Sequence, residues 1–297
     1  MRIVVGVDGS AASRVACDFV CSRTWPSGTQ IRLVVAVEPQ IDWTGLAPMP
    51  IDTSETERAR LEEVLEERAD ALRARSYAVE PLLEIGHPAE LLMAEAADWI
   101  ADLIVVGNRG LGAAAAAVLG SVSAHLVDHA PCPVLVARSP TASRMLVAAD
   151  DTPSSRRIPS ILAAWGNAFR GLSVEVLSVS DREGSLPSGA DQPVAADLEL
   201  HRGIAAEVAG EMRELGWEAA AEVRAGDPGR EIVATGREWG ADLIVTGSRG
   251  LGTLRRFVLG SVAHEVLLHA RSSVLVMRGQ VPARLREAAT ATNPAFS

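Results

Sequence analysis

Short apolar runs alternate along the chain with longer segments of helical periodicity. In the first half, the apolar runs occupy residues 3–7, 31–37, 78–85, 102–107 and 133–137 and predict five strands. The segments between them predict helices over residues 11–25, 54–75, 88–100 and 119–130. Three of the runs are nearly continuous Val, Ile and Leu, which indicates strands buried on both faces of a parallel sheet. The pattern therefore predicts a doubly wound α/β fold.

Polar residues mark where some of these helices begin. Ser10 directly follows the first strand as a predicted N-cap, and Ser54 and Glu57 have the spacing of a capping box. Residues 38–53 and 181–195 are rich in Pro and Gly, and they predict long loops after the second strand of each half.

The chain contains two copies of one unit. Residues 101–138 align without a gap with residues 241–278 at an offset of 140, and 21 of these 38 positions are identical. A weaker match links "RIVVGVDGSAAS" with "RMLVAADDTPSS" at the start of the copies. Such a tandem duplication predicts two domains, over residues 1–140 and 144–279, followed by a loosely ordered tail over residues 280–297.

Composition limits the classes of function. The chain has 297 residues, of which 48% are hydrophobic, so it can form two substantial cores. No apolar run reaches the roughly 18 residues of a membrane span and no signal-peptide pattern is present, so we expect a soluble cytoplasmic protein without a membrane partner. The net charge of −10 argues against general nucleic-acid binding but is compatible with one nucleotide held by backbone N–H groups. Cys17, Cys21 and Cys132 are too scattered for a disulfide framework, and we expect buried thiols.

A glycine-rich segment follows the fourth predicted strand in both copies. Its spacing G-x2-G-x9-G-S persists, although the alanines of residues 113–117 become unrelated side chains at residues 253–257. Ligands of open parallel sheets bind beyond the carboxyl ends of the strands, and with strand order 3-2-1-4-5 that point lies between strands one and four. Asp8 and Asp150 follow the first strand of each copy. We therefore interpret the segment as a phosphate-binding loop that opens a helix N-terminus; a tight structural turn is the alternative.

This loop does not match the two best-known phosphate motifs. The pattern G-x4-G-K-[ST] of a Walker A loop occurs nowhere in the chain. The sequence "GNRGLG" is GxxGxG and follows a fourth strand, whereas the dinucleotide fingerprint is GxGxxG after a first strand. The duplication and the paired aspartates carry the interpretation.

With these motifs the chain resembles the universal stress protein family in its tandem-domain form. The glycines and serine of the pattern, together with "VLGSVSAHLVDHAPCPVLVAR", carry the resemblance, which covers residues 1–138 and 144–278. It implies two Rossmann-like domains of the adenine nucleotide alpha hydrolase type, each a five-stranded parallel sheet of order 3-2-1-4-5 with helices on both faces. It also implies the ATP-binding branch, whose members hold ATP, commonly with a divalent metal such as Mg²⁺, and regulate stress responses and growth arrest.

The resemblance implies a set of binding residues in each copy. In the first copy Asp8 would contact ribose or metal, Val37 would offer its backbone to adenine, and the nucleoside and phosphates would lie against Val106, Gly107, Gly110, Gly120, Ser121 and Val122. The corresponding set in the second copy is Asp150, Val179, Thr246, Gly247, Gly250, Gly260, Ser261 and Val262. Arg109 and Arg249 are further candidates for phosphate contact because they lie between the motif glycines, and solvent-exposed side chains are the alternative. The copies differ, because Gly9 becomes Asp151 while Arg255 and Arg256 replace alanines.

Three functions remain open from the sequence. The leading hypothesis is a regulatory module that binds ATP at one or both sites. A slow metal-dependent ATPase is an alternative, although neither motif contains an obvious general base or a lysine aimed at a γ-phosphate. A protein-interaction scaffold without nucleotide is the other. The resemblance further implies that "PVLVAR" and "SVLVMR" pair within the chain as a pseudo-dimer, and it is compatible with a homodimer.

Overall fold

The computed structural model describes residues 1–38, 40–42, 49–51, 55–110, 119–181, 191–248 and 259–278. Several sequence predictions lie outside these residues. They concern Ser54, the alanines of residues 113–117, Arg249, Gly250 and the tail over residues 280–297.

The first unit contains the five predicted strands and four predicted helices. In chain order its elements are β1 (Arg2–Val7), α1 (Ala11–Ser22), β2 (Gln30–Val37), β3 (Gln40–Asp42), β4 (Met49–Ile51), α2 (Glu55–Arg73), β5 (Ala78–Ile85), α3 (Pro88–Asp98), β6 (Leu103–Gly107), α4 (Ser121–His129) and β7 (Val134–Ala137). The predicted N-cap is confirmed, because the Ser10 side chain accepts a hydrogen bond from the Ser13 amide.

The second unit repeats the order of strands β1, β2, β5, β6 and β7, with one change among the helices. Its elements are β8 (Arg144–Ala148), α5 (Pro153–Arg156), α6 (Ile158–Ala164), β9 (Ser173–Ser180), α7 (Asp191–Glu214), β10 (Glu218–Ala225), α8 (Pro228–Trp239), β11 (Leu243–Gly247), α9 (Ser261–His269) and β12 (Ser273–Met277). The short helices α5 and α6 replace α1. Pro159 lies in the first turn of α6, where its missing N–H and fixed φ are tolerated, whereas inside one continuous helix it would remove a hydrogen bond.

The principal strands form one ten-stranded sheet with the order β10-β9-β8-β11-β12-β7-β6-β1-β2-β5. Within each unit this is the predicted order 3-2-1-4-5, and the strands there are parallel. The two units join where β12 pairs antiparallel with β7, with Leu275 opposite Leu135. The predicted pairing within the chain is therefore confirmed, and the two units are related as a pseudo-dimer.

Two arginines bridge this junction between the units. Arg138, which follows β7, donates to the carbonyl oxygens of Leu267 at 2.6 Å and Ser272 at 3.0 Å. Arg278, which occupies the matching position after β12, donates to the carbonyl oxygen of Val127. Each guanidinium thus satisfies a carbonyl that lacks a partner in the last turn of the other unit's final helix.

Helices cover both faces of the sheet. On one face α1, α2, α6 and α7 bury a core that includes Phe19 and Trp165, and the rings of Trp25 and Phe169 meet edge to face at 5.8 Å between the two units. On the other face α3, α4, α8 and α9 bury a second core. None of the helices in the described part of the chain is long and apolar enough to span a membrane.

Candidate functional site

The predicted site residues of the first unit converge at one edge of the sheet. β1 and β6 are parallel neighbours, so their carboxyl ends meet at the same edge. Asp8 immediately follows β1, and the glycine loop begins with Gly107 at the end of β6. In the second unit β8 and β11 have the same relation, which brings Asp150 and Gly247 to the opposite edge of the ten-stranded sheet.

Gly110 leaves the Asp8 carboxylate open towards the loop. A Cβ atom at Gly110 would lie 2.7 Å from Asp8 Oδ2, a distance that real Cβ contacts do not reach. The other carboxylate oxygen, Oδ1, accepts a hydrogen bond of 2.9 Å from the Ser10 amide, which fixes the orientation of the side chain. Only glycine at residue 110 therefore allows loop and carboxylate to approach this closely.

Gly107 and Gly120 shape the loop in a different way. A Cβ atom at Gly107 would lie 2.5 Å from the carbonyl carbon and oxygen of Ala12, so this glycine allows β6 to contact the first turn of α1. Gly120 donates its amide to the carbonyl of Asn108 at 2.8 Å and thereby closes the loop. The Ser123 hydroxyl donates to the Gly107 carbonyl at 2.8 Å. The alternative of a structural turn thus applies to Gly107 and Gly120, whereas Gly110 borders a carboxylate.

A helix N-terminus lies at the end of the same loop. Gly120 is the N-cap of α4, and no side chain caps it. The first amides of the helix, from Ser121 and Val122, therefore have no intrahelical partner and carry the positive end of the helix dipole. The side chains of Val37 and Val106 are buried in the core, and the Val37 carbonyl accepts from the Gly86 amide at 3.0 Å.

Two arginines add positive charge near this edge. Arg109 lies in the loop, close to Arg138. Burial, and to a smaller extent the charge of Arg109, lowers the pKa of Arg138 to about 10. Arg60 on α2 extends its guanidinium over Gly9, with Nη2 3.4 Å from where a Cβ atom would stand. Sequence analysis did not predict a role for Arg60, because charges of alternating sign on a helix predict a solvated face.

At the corresponding edge of the second unit, the protein's own side chains contact Asp150, Asp151 and the position beside Gly247. Asp150 Oδ1 accepts from the amide of Thr152 at 3.1 Å and also from its hydroxyl. The Ser154 hydroxyl lies 3.0 Å from where a Cβ atom of Gly247 would stand, at the place that Ala12 takes in the first unit. Asp151, in place of Gly9, pairs with Arg156 at 2.7 Å.

Other predicted residues of the second site have clear positions. Thr246 is buried at the end of β11 and donates its hydroxyl to the Gly247 carbonyl at 3.2 Å. Gly260 donates its amide to the Ser248 carbonyl at 2.8 Å, as its counterpart does in the first unit. Ser261 and Val262 open α9 behind an N-cap that no side chain caps.

The sequence alignment chose the wrong counterpart of Val37. It matched Val179, but the pairing of β8 with β9 sets Arg144 opposite Ser173, whereas β1 pairs with β2 through Arg2 and Gln30. The counterpart is therefore Ser180, whose carbonyl accepts from the Gly226 amide as that of Val37 accepts from Gly86. One extra residue between β8 and β9 shifts the register by one position.

A buried polar network lies beside Ser180, and sequence analysis missed it. The Ser178 hydroxyl is 2.8 Å from His201 Nδ1, and His201 Nε2 is 3.8 Å from a carboxylate oxygen of Asp197. The Ser180 hydroxyl donates to the same carboxylate. Ser178 is fully buried, so this serine has no access to a substrate. The first unit has valines at the positions of Ser178 and Ser180. This difference is visible only when the two units are compared in the register of the strand pairing.

The described residues contain no ready-made centre for a metal or for thiol chemistry. Within the described ranges, no group of three or more His, Cys, Asp or Glu side chains is arranged to hold a metal ion. Burial raises the pKa of both Cys17 and Cys132 to about 12, which keeps these thiols protonated and unreactive.

Comparison with known proteins gives the family. The model of the universal stress protein family matches residues 1–138 and again residues 141–278, so the chain belongs to this family. A universal stress protein of Mycobacterium tuberculosis is 31% identical and aligns over 93% of this chain and 96% of its own. A crystal structure of a universal stress protein from Archaeoglobus fulgidus has a TM-score of 0.64 at 22% identity and covers 94% of this chain and 96% of its own. A shorter universal stress protein, solved in complex with cAMP, is 29% identical over 46% of this chain and 95% of its own, with a TM-score of 0.36.

Proposed function

We propose that the chain is a regulatory module that binds an adenine nucleotide, ATP with Mg²⁺, at the glycine loop of its first unit and at the equivalent loop of its second. The observation that carries the proposal is the close approach of the glycine loop to the Asp8 carboxylate. A Cβ atom at residue 110 would lie 2.7 Å from Asp8 Oδ2, so glycine lets the loop backbone pass beside this carboxylate without a side chain between them.

The groups around the Asp8 carboxylate suit a phosphorylated ligand with a cation. The uncapped N-terminus of α4 supplies N–H donors and a positive dipole to phosphate oxygens. Asp8 Oδ2, opposite Gly110, is a hard oxygen ligand that would hold Mg²⁺, which neutralises phosphate charge when bound. Arg60 and Arg109 add positive charge at the same edge.

Binding, and not turnover, is the activity that we assign. The Asp8 side chain is held by the Ser10 amide and faces the loop, so its role is to hold the ligand and its cation. Neither glycine motif contains a histidine, a glutamate or a lysine to activate water or a leaving group. The bound nucleotide would act through the shape of the loop and of the α4 N-terminus.

The test is to denature freshly purified protein and to count the released nucleotide by chromatography and mass spectrometry. We expect one or two adenine nucleotides per chain in the wild type. Gly110→Val should remove one of them, because its side chain would collide with Asp8. Gly203→Ala on α7 is the matched control, since a Cβ atom there meets nothing within 4 Å.

Either of two results would contradict the proposal. One is a wild type that contains no nucleotide and still binds none with millimolar ATP and Mg²⁺. The other is a Gly110→Val variant that folds normally and retains the full nucleotide content. A Gly250→Val variant tests nucleotide binding by the second unit in the same way. If only Gly110→Val lowers the count, the second site does not bind.

A further inference from the structure

A groove separates α8 and α9 on the second unit, away from the glycine loops. Its volume is about 630 Å³, within the usual range of ligand sites. Both helices end at the groove, with Trp239 and His269 as their last residues, and each leads directly into the start of a strand. The groove thus lies at the amino ends of β11 and β12, whereas Asp150 lies beyond the carboxyl end of β8, at the opposite edge.

The floor of the groove is made of small residues. Gly236 and Gly240 at the end of α8, together with Ala241 and Ala270, line it. Gly240 has φ of 71°, a conformation that favours glycine, and it ends the helix. The carbonyls at the ends of both helices already have donors, since Trp239 accepts from Arg144 and Leu267 from Arg138, so the floor offers a small apolar surface.

Three arginines form the rim of the groove. Arg230, Arg237 and Arg271 line it, and all three are exposed. None of their guanidinium groups forms an ion pair or a hydrogen bond with another described residue. The groove also contains two carboxylates: Asp242, which accepts from the Ser143 amide at 2.8 Å, and Glu265, which lies 3.4 Å from His269. Three guanidinium charges against two carboxylates leave the groove with an excess of positive charge in a chain whose net charge is −10.

The first unit serves as an internal reference for this groove. At the offset of 140 residues, Glu90, Ala97 and Pro131 stand where the second unit has the three arginines. Ile100 stands in place of Gly240 and adopts a φ of 51°, which is costly for a β-branched residue. The same fold therefore forms without the arginines and without a glycine at the position of Gly240, so the fold itself does not require them.

We propose that this groove binds an acidic segment of a partner polypeptide. The rim attracts carboxylates, and the small apolar floor leaves room for the apolar side chains of a peptide. A small inorganic anion has no side chain for this floor and would face the negative ends of two helix dipoles, which disfavours it. Arg230 and Arg237 are seven residues apart on α8, about 10 Å, which an extended peptide covers in about three residues.

The inference does not depend on nucleotide binding, and its test uses the full chain. A fluorescein-labelled peptide of four Glu-Leu repeats is titrated with protein at low salt and followed by fluorescence anisotropy, and a Gln-Leu peptide of equal length is the reference. The variant is Arg230→Gln with Arg237→Gln and Arg271→Gln. The matched control, Arg58→Gln with Arg75→Gln and Arg157→Gln, removes the same charge from exposed positions outside the groove.

We expect the wild type and the control to bind the acidic peptide with similar affinity. The groove variant should bind at least about tenfold more weakly, because it lacks all three guanidinium groups that would pair with the carboxylates of the peptide. Ala234→Phe, which fills the groove and keeps the arginines, should weaken binding as well. Circular dichroism and thermal unfolding would verify that each variant folds.

Four results would overturn the proposal. They are no binding of the acidic peptide at low salt, equal binding of the Gln-Leu peptide, equal losses in the groove variant and the control, and displacement of the peptide by inorganic phosphate at the peptide's own concentration. Self-association in sedimentation that the groove variant abolishes would assign the groove to a second copy of this chain, and it would also overturn the proposal.

Discussion

The two units share one fold but differ where α2 and α7 cover the sheet. In the first unit, Val35 on β2 and Leu61 on α2 are both buried in the apolar core between the sheet and the helix. In the second unit the same two positions are Ser178 and His201, joined by a hydrogen bond of 2.8 Å. The strand order and the pairing of the closing strands did not change. A helix can therefore cover this sheet through either apolar or hydrogen-bonded contacts, provided that every buried polar group has a partner.

The outer part of the same strands shows a second difference. In the first unit Arg32 pairs with Glu80 at 2.7 Å and Glu95 at 2.9 Å, and its guanidinium lies 4.5 Å from the centre of the Trp99 ring. The strand register places Glu175 at the position of Arg32 in the second unit. The second unit thus has a carboxyl group where the first unit has a guanidinium paired with two carboxylates, and the residues around it differ as well.

The largest expected effect distinguishes the two glycines that end β6 and β11. Gly107→Ala places a Cβ atom against the backbone of Ala12, which cannot move without shifting α1, so we expect a loss of about 3 kcal/mol or more in the free energy of unfolding. Gly247→Ala meets the Ser154 hydroxyl, a side chain that can rotate, and should cost about 1 kcal/mol. Urea unfolding of both variants measures the difference.

Ser154→Ala provides the control for this pair. Added to Gly247→Ala, it removes the obstructing hydroxyl and should restore most of the lost stability. Equal losses from the two glycine variants would show that these strand ends are alike, which is contrary to the structure.

A double-mutant cycle tests the polar network of the second unit. Ser178→Val alone leaves His201 Nδ1 buried without its partner and should cost about 2 kcal/mol. Adding His201→Leu recreates the apolar pair of the first unit and should bring the free energy of unfolding back to within about 0.5 kcal/mol of the wild type. Additive losses in chemical denaturation would contradict the network.

The sequence predicted the architecture because the duplicated pattern carries it. Strand order, helices on both faces and the closing strand pair all depend on apolar periodicity and right-handed crossovers, which are local or general. The hairpin of β3 and β4 was missed, since three-residue strands within a Pro-rich loop leave no periodic signal. The predicted helix over residues 11–25 ends at Ser22, because Trp25 precedes Pro26 and such a residue disfavours helical backbone.

The site was predictable only where it depends on motif residues. Asp8 and Gly110 come together as the sheet topology required. Arg60 and the His201 network could not be predicted, because they join α2 and α7 to loops and strands distant in sequence through side-chain positions that follow no motif. The choice of Val179 was wrong by one residue, since a single insertion between two strands is invisible in an alignment of weakly similar segments.

The pH dependence of stability should distinguish the outer faces of β2 and β9. Burial, and then a hydrogen bond with Glu222, raises the pKa of Glu175 to about 7. Because the folded pKa lies above the ordinary value of 4.5, the stability that protonated Glu175 contributes is fully present below about pH 4.5 and is lost as the pH rises through about 7. Glu175→Gln keeps a neutral side chain at every pH. It should gain roughly 1.5 kcal/mol at pH 8, a value discounted because solvent screens the partly exposed pair, and almost nothing at pH 4.

Thermal and urea unfolding of both proteins across this pH range measure the effect. Glu80→Gln in the first unit is the matched control, and it should instead weaken a pair with Arg32 and show no gain at high pH. A gain from Glu175→Gln that is the same at pH 4 and pH 8 would rule out a titrating carboxyl pair.

The smallest expected effect concerns the buried hydroxyl of Thr235 on α8. The first unit has Glu95 at this position and uses it to pair with Arg32, whereas the Thr235 hydroxyl has no hydrogen-bond partner among the described residues. Thr235→Val keeps the shape and removes an unsatisfied polar atom, so it should raise the free energy of unfolding by about 0.5–1 kcal/mol. Thr152→Val is the matched control, because that hydroxyl bonds to Asp150 and caps α5, and its loss should lower stability by about 1 kcal/mol. Opposite signs in urea unfolding would show that the hydroxyl beside Asp150 is satisfied whereas the buried hydroxyl on α8 is not, and equal losses would refute this.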